Sequence, residues 1–281
     1  MTQGEPIVAA IVGIDGAGKS TAIRLVGHRL GAHCAVLSSM RNHEVADAPL
    51  RDLSLALDRL RTAAEELGSQ RLKLASLYLQ MCIYGPTEQF VIRALAPSVV
   101  LSDRHPIIDA AVYLPLFRRM IESSGVAAGI PEWRDRVSAE ERGLITRWMD
   151  AQNRRLGTTL DLTVLTSDLM ALADHGFGPF LAKIAPLLQA TLPQRVLWLD
   201  LEVEQALQRL ASRQGPRELH ETRRHLMTVR AGYLRVLENL PSRIRVSRIE
   251  VGDLAPEQVV EALTEQLIKD DRRVHTGTSA A

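Results

Sequence analysis

An α/β fold, with a five-stranded parallel sheet flanked by helices, is predicted for this chain of 281 residues. Two observations favour it. Short apolar runs of the length of buried strands alternate with longer segments in which apolar residues recur at helical spacing. The first apolar run is followed directly by a glycine-rich loop and an amphipathic helix. We place the five strands at residues 7–12, 34–37, 99–101, 195–200 and 245–251.

The glycine-rich loop reads Gly13-Ile14-Asp15-Gly16-Ala17-Gly18-Lys19-Ser20-Thr21. Between a strand and a helix, the spacing G-x-x-x-x-G-K-S is that of a phosphate-binding loop, or P-loop. Its glycines let backbone N–H groups surround an anion, and the following helix adds its N-terminal dipole. We expect Lys19 to reach the β- and γ-phosphates of a nucleoside triphosphate and the Ser20 hydroxyl to bind Mg²⁺. The predicted nucleotide-binding residues of the loop are Gly13, Gly16, Ala17, Gly18, Lys19, Ser20 and Thr21.

The composition limits the kinds of partner that this protein is expected to bind. A net charge of +1 gives no electrostatic reason to expect nucleic acid or an anionic membrane. No apolar run reaches the roughly 18 residues of a membrane helix, and no basic segment precedes the first strand. Cys34 and Cys82 have no metal-ligand spacing and read as small buried hydrophobes of a reducing compartment. We therefore expect a soluble, cytoplasmic protein whose partners are small molecules.

The first helix is predicted at residues 22–30, and the segments that follow it contain candidate acceptor-binding residues. Arg41 follows the second strand, where parallel sheets place their ligands, and could meet an acceptor phosphate or simply face solvent. Apolar spacing predicts helices at 50–67, at 71–84 ending at Gly85-Pro86, and at 87–95. Gln80 and Tyr84 lie one turn apart and could line an acceptor pocket or serve as packing.

The exit of the third strand reads Ser102-Asp103-Arg104-His105-Pro106. A carboxylate at the end of a buried strand beside the P-loop strand suits the Mg²⁺-supporting position, so we assign that role to Asp103. Arg104 would place a cation near the transferring phosphoryl group. A surface ion pair is the alternative. Asp200, at the end of the fourth strand, competes with Asp103 for the metal, and we favour Asp103 because Arg104 follows it.

Residues 106–192 are predicted to form a mostly helical insertion without a recognisable motif. Inserted helices beside a nucleotide site either shape the acceptor pocket or form an oligomer interface, here a homodimer. The sequence favours neither. We find no internal repeat or low-complexity linker and expect a single domain over 1–281.

An arginine-rich edge is predicted at residues 209–220. Arg209, Arg213 and Arg217 stand four apart, which places them on one face of the helix predicted at 204–213 until Gly215-Pro216 breaks it. Such an edge suits a lid that closes over a triphosphate, and a solvated basic helix face is the alternative. Further helices are expected at 220–240 and 256–269, followed by a disordered tail over 270–281.

These residues resemble the thymidylate kinase-like group of P-loop kinases. The acid after the first glycine of the loop, the Asp103-Arg104 pair, and the order of strand, arginine lid and long helix after Asp200 carry the similarity, over roughly two-thirds of the chain. The resemblance implies a doubly wound sheet and transfer of the γ-phosphoryl of Mg²⁺-bound ATP to a nucleoside monophosphate or nucleoside-like acceptor.

The resemblance also implies roles for individual residues. The loop and Arg209 would hold ATP, Asp103 would support Mg²⁺, and Arg213 and Arg217 would neutralise charge as the phosphoryl group moves. Arg104 would steer the acceptor or the phosphoryl group, and Asp15 would touch the acceptor sugar hydroxyl. The acceptor-binding set predicted is Asp15, Arg41, Gln80, Tyr84, Arg104 and His105.

The departures from the group concern the acceptor. Ser39-Met40-Arg41-Asn42 replaces an Arg-Glu-Pro segment, His105 replaces a tyrosine, and the Asp-Arg pair that grips base and monophosphate has no counterpart between Ser76 and Glu88. Two alternatives therefore stay open. One is a kinase of a non-nucleotide hydroxyl in specialised metabolism, with Asp103 as base. The other is a P-loop ATPase or switch, which the absence of an Asn-Lys-x-Asp motif and of a strand ending in Asp-Glu disfavours.

Overall fold

The computed structural model describes residues 5–123, 130, 132–212 and 222–268. Its five parallel strands are β1 (Ile7–Val12), β2 (Cys34–Ser38), β3 (Val99–Asp103), β4 (Arg195–Asp200) and β5 (Arg245–Glu250), in the sheet order β2-β3-β1-β4-β5. The helices are α1 (Lys19–Leu30), α2 (Arg51–Glu66), α3 (Gln70–Leu95), α4 (Pro106–Ser123), α5 (Ala139–Leu156), α6 (Leu162–Leu172), α7 (Phe177–Leu188), α8 (Val203–Ser212), α9 (Arg223–Glu238) and α10 (Pro256–Ile268). The predicted α/β fold class is confirmed.

The P-loop strand β1 lies in the middle of the sheet. It pairs in parallel with β3, from Ile7 opposite Val99 to Ile11 opposite Asp103, and with β4 on its other side. All six residues of β4 are buried, as expected for a parallel strand covered on both faces. Because β3 and β4 flank β1, their last residues Asp103 and Asp200 both lie at the sheet edge from which the glycine loop leaves.

The chain divides into two compact units. The first comprises residues 1–36, 94–105 and 193–281, and the second comprises residues 37–93 and 106–192. In the first, α1 contacts α10 and β3, while α8 contacts α9. In the second, α2 contacts α5, and α4 contacts both α6 and α7. That the chain acts as a single domain stays a prediction. None of the described helices combines the length and apolar content needed to cross a membrane.

The helical character of the insertion is confirmed where the structure describes it, but one helix boundary was wrong. We predicted a break at Gly85-Pro86, whereas α3 runs unbroken from Gln70 to Leu95. Glycine is needed there for a different reason: a Cβ on Gly85 would lie 1.8 Å from the carbonyl oxygen of Gln189. Gly85 therefore lets Gln189 approach α3 closely, and the Gly-Pro pair does not end the helix.

Candidate active site

The glycine loop between β1 and α1 has a backbone that requires its glycines. Gly13, Gly16 and Gly18 have φ values of 153°, 86° and 83°. A Cβ on Gly13 would lie 2.5 Å from the Leu199 carbonyl oxygen, and one on Gly16 would lie 2.9 Å from that of Ala206. The loop is thus pressed against the end of β4 and against α8. Gly18 caps α1 without a side-chain hydrogen bond, which leaves the dipole of α1 directed at any anion in the loop.

Lys19 is folded back onto this loop. Its ammonium donates to the carbonyl oxygen of Ile14 at 2.8 Å and lies 3.4 Å from Asp15 Oδ1. The side chain is 7% exposed. Burial, and next the guanidinium of Arg104, lower the pKa of Lys19 from 10.5 to about 8, against the opposing pull of Asp15 and Asp103. A cation held under this penalty gains from an incoming phosphate.

Arg104 shares the same carboxylate oxygen. Its Nη2 donates to Asp15 Oδ1 at 2.6 Å, and its Nη1 donates to the hydroxyl of Tyr233 at 2.9 Å. Its backbone is left-handed, with φ at 65°, and its N–H donates to the Ile11 carbonyl at 3.0 Å. The structure therefore brings Asp15, Lys19 and Arg104 together, with two cations on one carboxylate oxygen. We refer to these three residues and Tyr233 as the Lys19 cluster.

The two acids that competed for the metal differ in their surroundings. Asp200 accepts from Arg230 Nε and Nη2 at 2.8 and 3.0 Å, and from Arg248 Nε at 2.9 Å. Burial alone would raise the pKa of Asp200, but these hydrogen bonds outweigh it and hold the pKa below its ordinary value. Asp103 is near enough to Lys19 for its charge to raise the pKa of that ammonium. Asp200 is therefore engaged as an anchor for two arginines, while Asp103 lies beside the glycine loop.

The donor set fits Mg²⁺ bound together with a nucleotide. Within the described ranges, no group of three His, Cys, Asp or Glu side chains is arranged to hold a metal ion by itself. Mg²⁺ does not require one, since it usually takes one or two protein oxygens and completes its shell with substrate phosphates and water. Ser20, exposed on the first turn of α1, and Asp103, at the end of β3, supply oxygens of the kind this ion prefers.

Three predicted acceptor residues belong to the second unit. Arg41 is half-exposed, and its Nη1 lies 3.1 Å from Glu44 Oε1. Gln80 is buried and bonded at both ends of its amide to Ser54, with Nε2 donating to the carbonyl at 2.7 Å and Oε1 accepting from the hydroxyl at 3.0 Å. Tyr84 is fully buried on α3. Their roles toward an acceptor stay predictions.

The remaining predicted residues belong to the first unit. His105 is fully buried next to Arg104. Arg209 Nη2 donates to the carbonyl oxygens of Val251 at 2.7 Å and Gly252 at 3.0 Å, so it fastens the loop after β5 to α8. Arg213 and Arg217, and with them most of the predicted lid, lie outside the described residues, as does the predicted tail.

Sequence reasoning missed the contacts made by α9. Tyr233 and Arg230 were seen only as part of a long helix, yet they contact Arg104 and Asp200 respectively. The available signal was their spacing: residues three apart lie on one face of a helix, and both are polar in a segment whose other buried positions are apolar.

Comparisons with known proteins give structural likeness only. No protein-family model matches the chain, and no curated protein matches it. Among solved structures, it is similar to deoxyadenosine kinase from M. mycoides, with 12% identity, a TM-score of 0.48 and coverage of 94% of this chain and 100% of that one. It is also similar to thymidylate kinase from Candida albicans, with 13% identity, a TM-score of 0.48 and coverage of 95% and 93%. The fold assignment rests on the strand order and the glycine loop.

Proposed function

We propose that this chain is a kinase that transfers the γ-phosphoryl group of ATP to a nucleoside monophosphate or nucleoside-like acceptor, as the thymidylate kinase-like group does. The observation that carries the proposal is the Lys19 cluster. A buried ammonium and a guanidinium stand together at the mouth of a glycine loop, both held by Asp15. Phosphoryl transfer needs positioning and stabilisation of moving negative charge more than covalent chemistry, and these groups supply both.

The glycine loop and the charged residues around it each have a proposed task. The backbone N–H groups of the loop and the N terminus of α1 bind the phosphates of ATP. Lys19 turns from the Ile14 carbonyl toward the β- and γ-phosphates. Arg104 stabilises the phosphoryl group in transit, and Asp15, which orients both cations before substrates arrive, contacts the acceptor sugar. Ser20 and Asp103 would hold Mg²⁺, which would supply positive charge against the phosphate oxygens.

A screen for acceptor-dependent ADP release tests the proposal. The purified chain would be mixed with ATP and Mg²⁺ and offered nucleosides, nucleoside monophosphates and small hydroxylated metabolites. We expect turnover with a nucleoside or its monophosphate. Lys19→Ala should lower that turnover by about a thousandfold or more, because it removes the cation that meets the transferring phosphate.

Lys183→Ala, at an exposed position of α7, is the matched control and should keep full turnover. ATP hydrolysis that no acceptor stimulates would contradict the kinase assignment and support the ATPase alternative. Turnover with a non-nucleotide alcohol alone would move the acceptor to that class. Retained transfer in Lys19→Ala would remove the glycine loop from the mechanism.

A further inference from the structure

Side chains on one face of helix α9 attach it at two points within the first unit, at the end of β4 and just after β3. Arg230 holds the Asp200 carboxylate with two parallel hydrogen bonds, from Nε at 2.8 Å and from Nη2 at 3.0 Å. Asp200 is 4% exposed, so this contact is shielded from water and fixes α9 against the end of β4. Three residues later, Tyr233 reaches Arg104, which follows the end of β3. Helix α9 thus connects the ends of the two strands that flank the P-loop strand.

The Arg104 guanidinium is held through two different nitrogens. Nη2 donates to Asp15 on the glycine loop, and Nη1 donates to Tyr233 on α9. Two contacts from separate elements fix the plane of a guanidinium, whereas one contact leaves it able to rotate. The arginine backbone is fixed as well, because its N–H is bonded to Ile11 and its carbonyl accepts from the Ser102 hydroxyl. Tyr233 is therefore one of a few groups that determine where the Arg104 cation points.

A purely apolar role for Tyr233 does not account for its hydroxyl. The residue is fully buried, and a buried hydroxyl costs free energy unless it is hydrogen-bonded. Phenylalanine would fill the same space without that cost. The hydroxyl is placed 2.9 Å from an arginine nitrogen, where it accepts a charge-assisted hydrogen bond.

We propose that Tyr233 is a positioning residue, which orients Arg104 for the phosphoryl group through its hydroxyl while Arg230 fixes the helix that carries it. This inference rests on the proposed kinase function. Tyr233 acts through Arg104 and does not itself touch a substrate. The assignment gives the segment after the predicted lid a defined task at the reaction centre.

Tyr233→Phe and Arg104→Ala, alone and combined, test the inference. Tyr233→Phe should lower kcat about tenfold and leave the KM for ATP within about twofold, because orientation is lost while the phosphate cradle is kept. In the Arg104→Ala background, adding Tyr233→Phe should change kcat by less than about twofold, since the residue through which it acts is already gone. Arg104→Lys keeps the charge but cannot make both contacts through separate nitrogens, and should lose about as much kcat as Tyr233→Phe.

Tyr78→Phe is the matched control, because it removes another buried hydroxyl, one that contacts Cys82 in the second unit. It should leave kcat unchanged. Unchanged kcat in Tyr233→Phe, an undiminished Tyr233→Phe effect in the Arg104→Ala background, or wild-type kcat in Arg104→Lys would each overturn the inference.

A spectroscopic measurement separates this inference from the proposed function. The arginine side-chain ¹⁵N–¹H signals of Arg104, assigned by their loss in Arg104→Lys, should move in Tyr233→Phe and stay in place in Tyr78→Phe. If the wild-type chain phosphorylated no acceptor, the kinase assignment would fail while these signals still reported the contact. Signals unmoved in Tyr233→Phe overturn the positioning role whatever the activity.

Discussion

Two polar clusters of this chain show how similar burial can accompany different roles. In the first unit, the Lys19 cluster gathers two cations on one carboxylate oxygen. In the second unit, Asn42, His43, Ser54 and Gln80 are joined by hydrogen bonds and are here called the Gln80 cluster. The cluster contains no acid, lysine or arginine, and Asn42 Nδ2 donates to the Gln80 carbonyl at 3.4 Å. Both sets are largely shielded from water, yet only the first concentrates charge.

The two clusters differ in how much free energy the binding of an anion would release. The lowered pKa of Lys19 shows that its charged form is disfavoured where it stands, mainly by burial and then by Arg104. A phosphate relieves that penalty. In the Gln80 cluster, Gln80 already has both ends of its amide bonded to Ser54, so a ligand would have to break existing bonds to be recognised there. We infer that the first arrangement is poised for binding, whereas the second stabilises the fold.

Removing Gln80 should therefore affect stability and leave nucleotide binding alone. Gln80→Ala removes two buried hydrogen bonds, one from the Ser54 hydroxyl and one to the Ser54 carbonyl, and opens a cavity, so we expect the free energy of unfolding to fall by about 3 kcal/mol. Urea unfolding would measure this fall, and calorimetry should find the ATP affinity within about twofold of wild type.

The exposed Gln89, nine residues further along α3, gives the matched control. Gln89→Ala should change the free energy of unfolding by no more than about 0.5 kcal/mol. A wild-type unfolding midpoint for Gln80→Ala, or a large loss of ATP affinity in this variant, would contradict the different roles that we infer for the two clusters.

Some features of the fold and the site could be predicted from the sequence, and others could not. Strands, the P-loop and the proximity of Asp103 and Arg104 to it follow from local patterns, because parallel strands deliver their ends to one edge of a sheet. The close approach at Gly85 and the pairing of Asp200 with two arginines could not be predicted, since in each case the partner lies far along the chain. Gln189 approaches Gly85, and Arg230 and Arg248 occupy Asp200.

Sequence pattern also cannot show which polar side chains bond to each other. Gln80 and Arg104 were both plausible ligand contacts from their positions. In the structure, Gln80 is paired with Ser54, and Arg104 is held between Asp15 and Tyr233. The pairing arises from tertiary packing of segments 26 and 129 residues apart, which no local propensity encodes.

The pH dependence of ATP binding tests the binding role that we infer for the Lys19 cluster. With a pKa of about 8, Lys19 loses its proton between about pH 7 and 9, and the neutral amine no longer attracts phosphate. We expect the ATP affinity measured by calorimetry to fall by about tenfold or more from pH 7 to pH 9.5.

Lys19→Met provides the reference for that measurement, because it has no ammonium to titrate. Its weak affinity should be nearly flat over the same range. A phosphate bound beside Lys19 would raise its pKa, so ATP binding by the wild type near pH 8.5 should also take up protons, seen as a dependence of the binding enthalpy on the buffer. Equal affinity at pH 7 and 9.5 would show that Lys19 does not carry the interaction.

The smallest effect expected concerns the stability cost of the Lys19 cluster. A lysine whose folded pKa lies below its unfolded value destabilises the fold while it is charged, that is, below about pH 8, and the unfolding free energy recovers as pH rises toward 10.5. That penalty is of order 3 kcal/mol, partly offset by the hydrogen bond to the Ile14 carbonyl. Lys19→Met should therefore raise the free energy of unfolding by about 1 kcal/mol at pH 7 and lose this advantage by about pH 10, as urea unfolding at the two pH values would measure.

Lys183→Met, which replaces an exposed lysine, is the control. It should change the free energy of unfolding by less than about 0.5 kcal/mol at both pH values. Destabilisation of Lys19→Met at pH 7 would mean that the ammonium contributes to folding as Gln80 does, and the two clusters would then share one role.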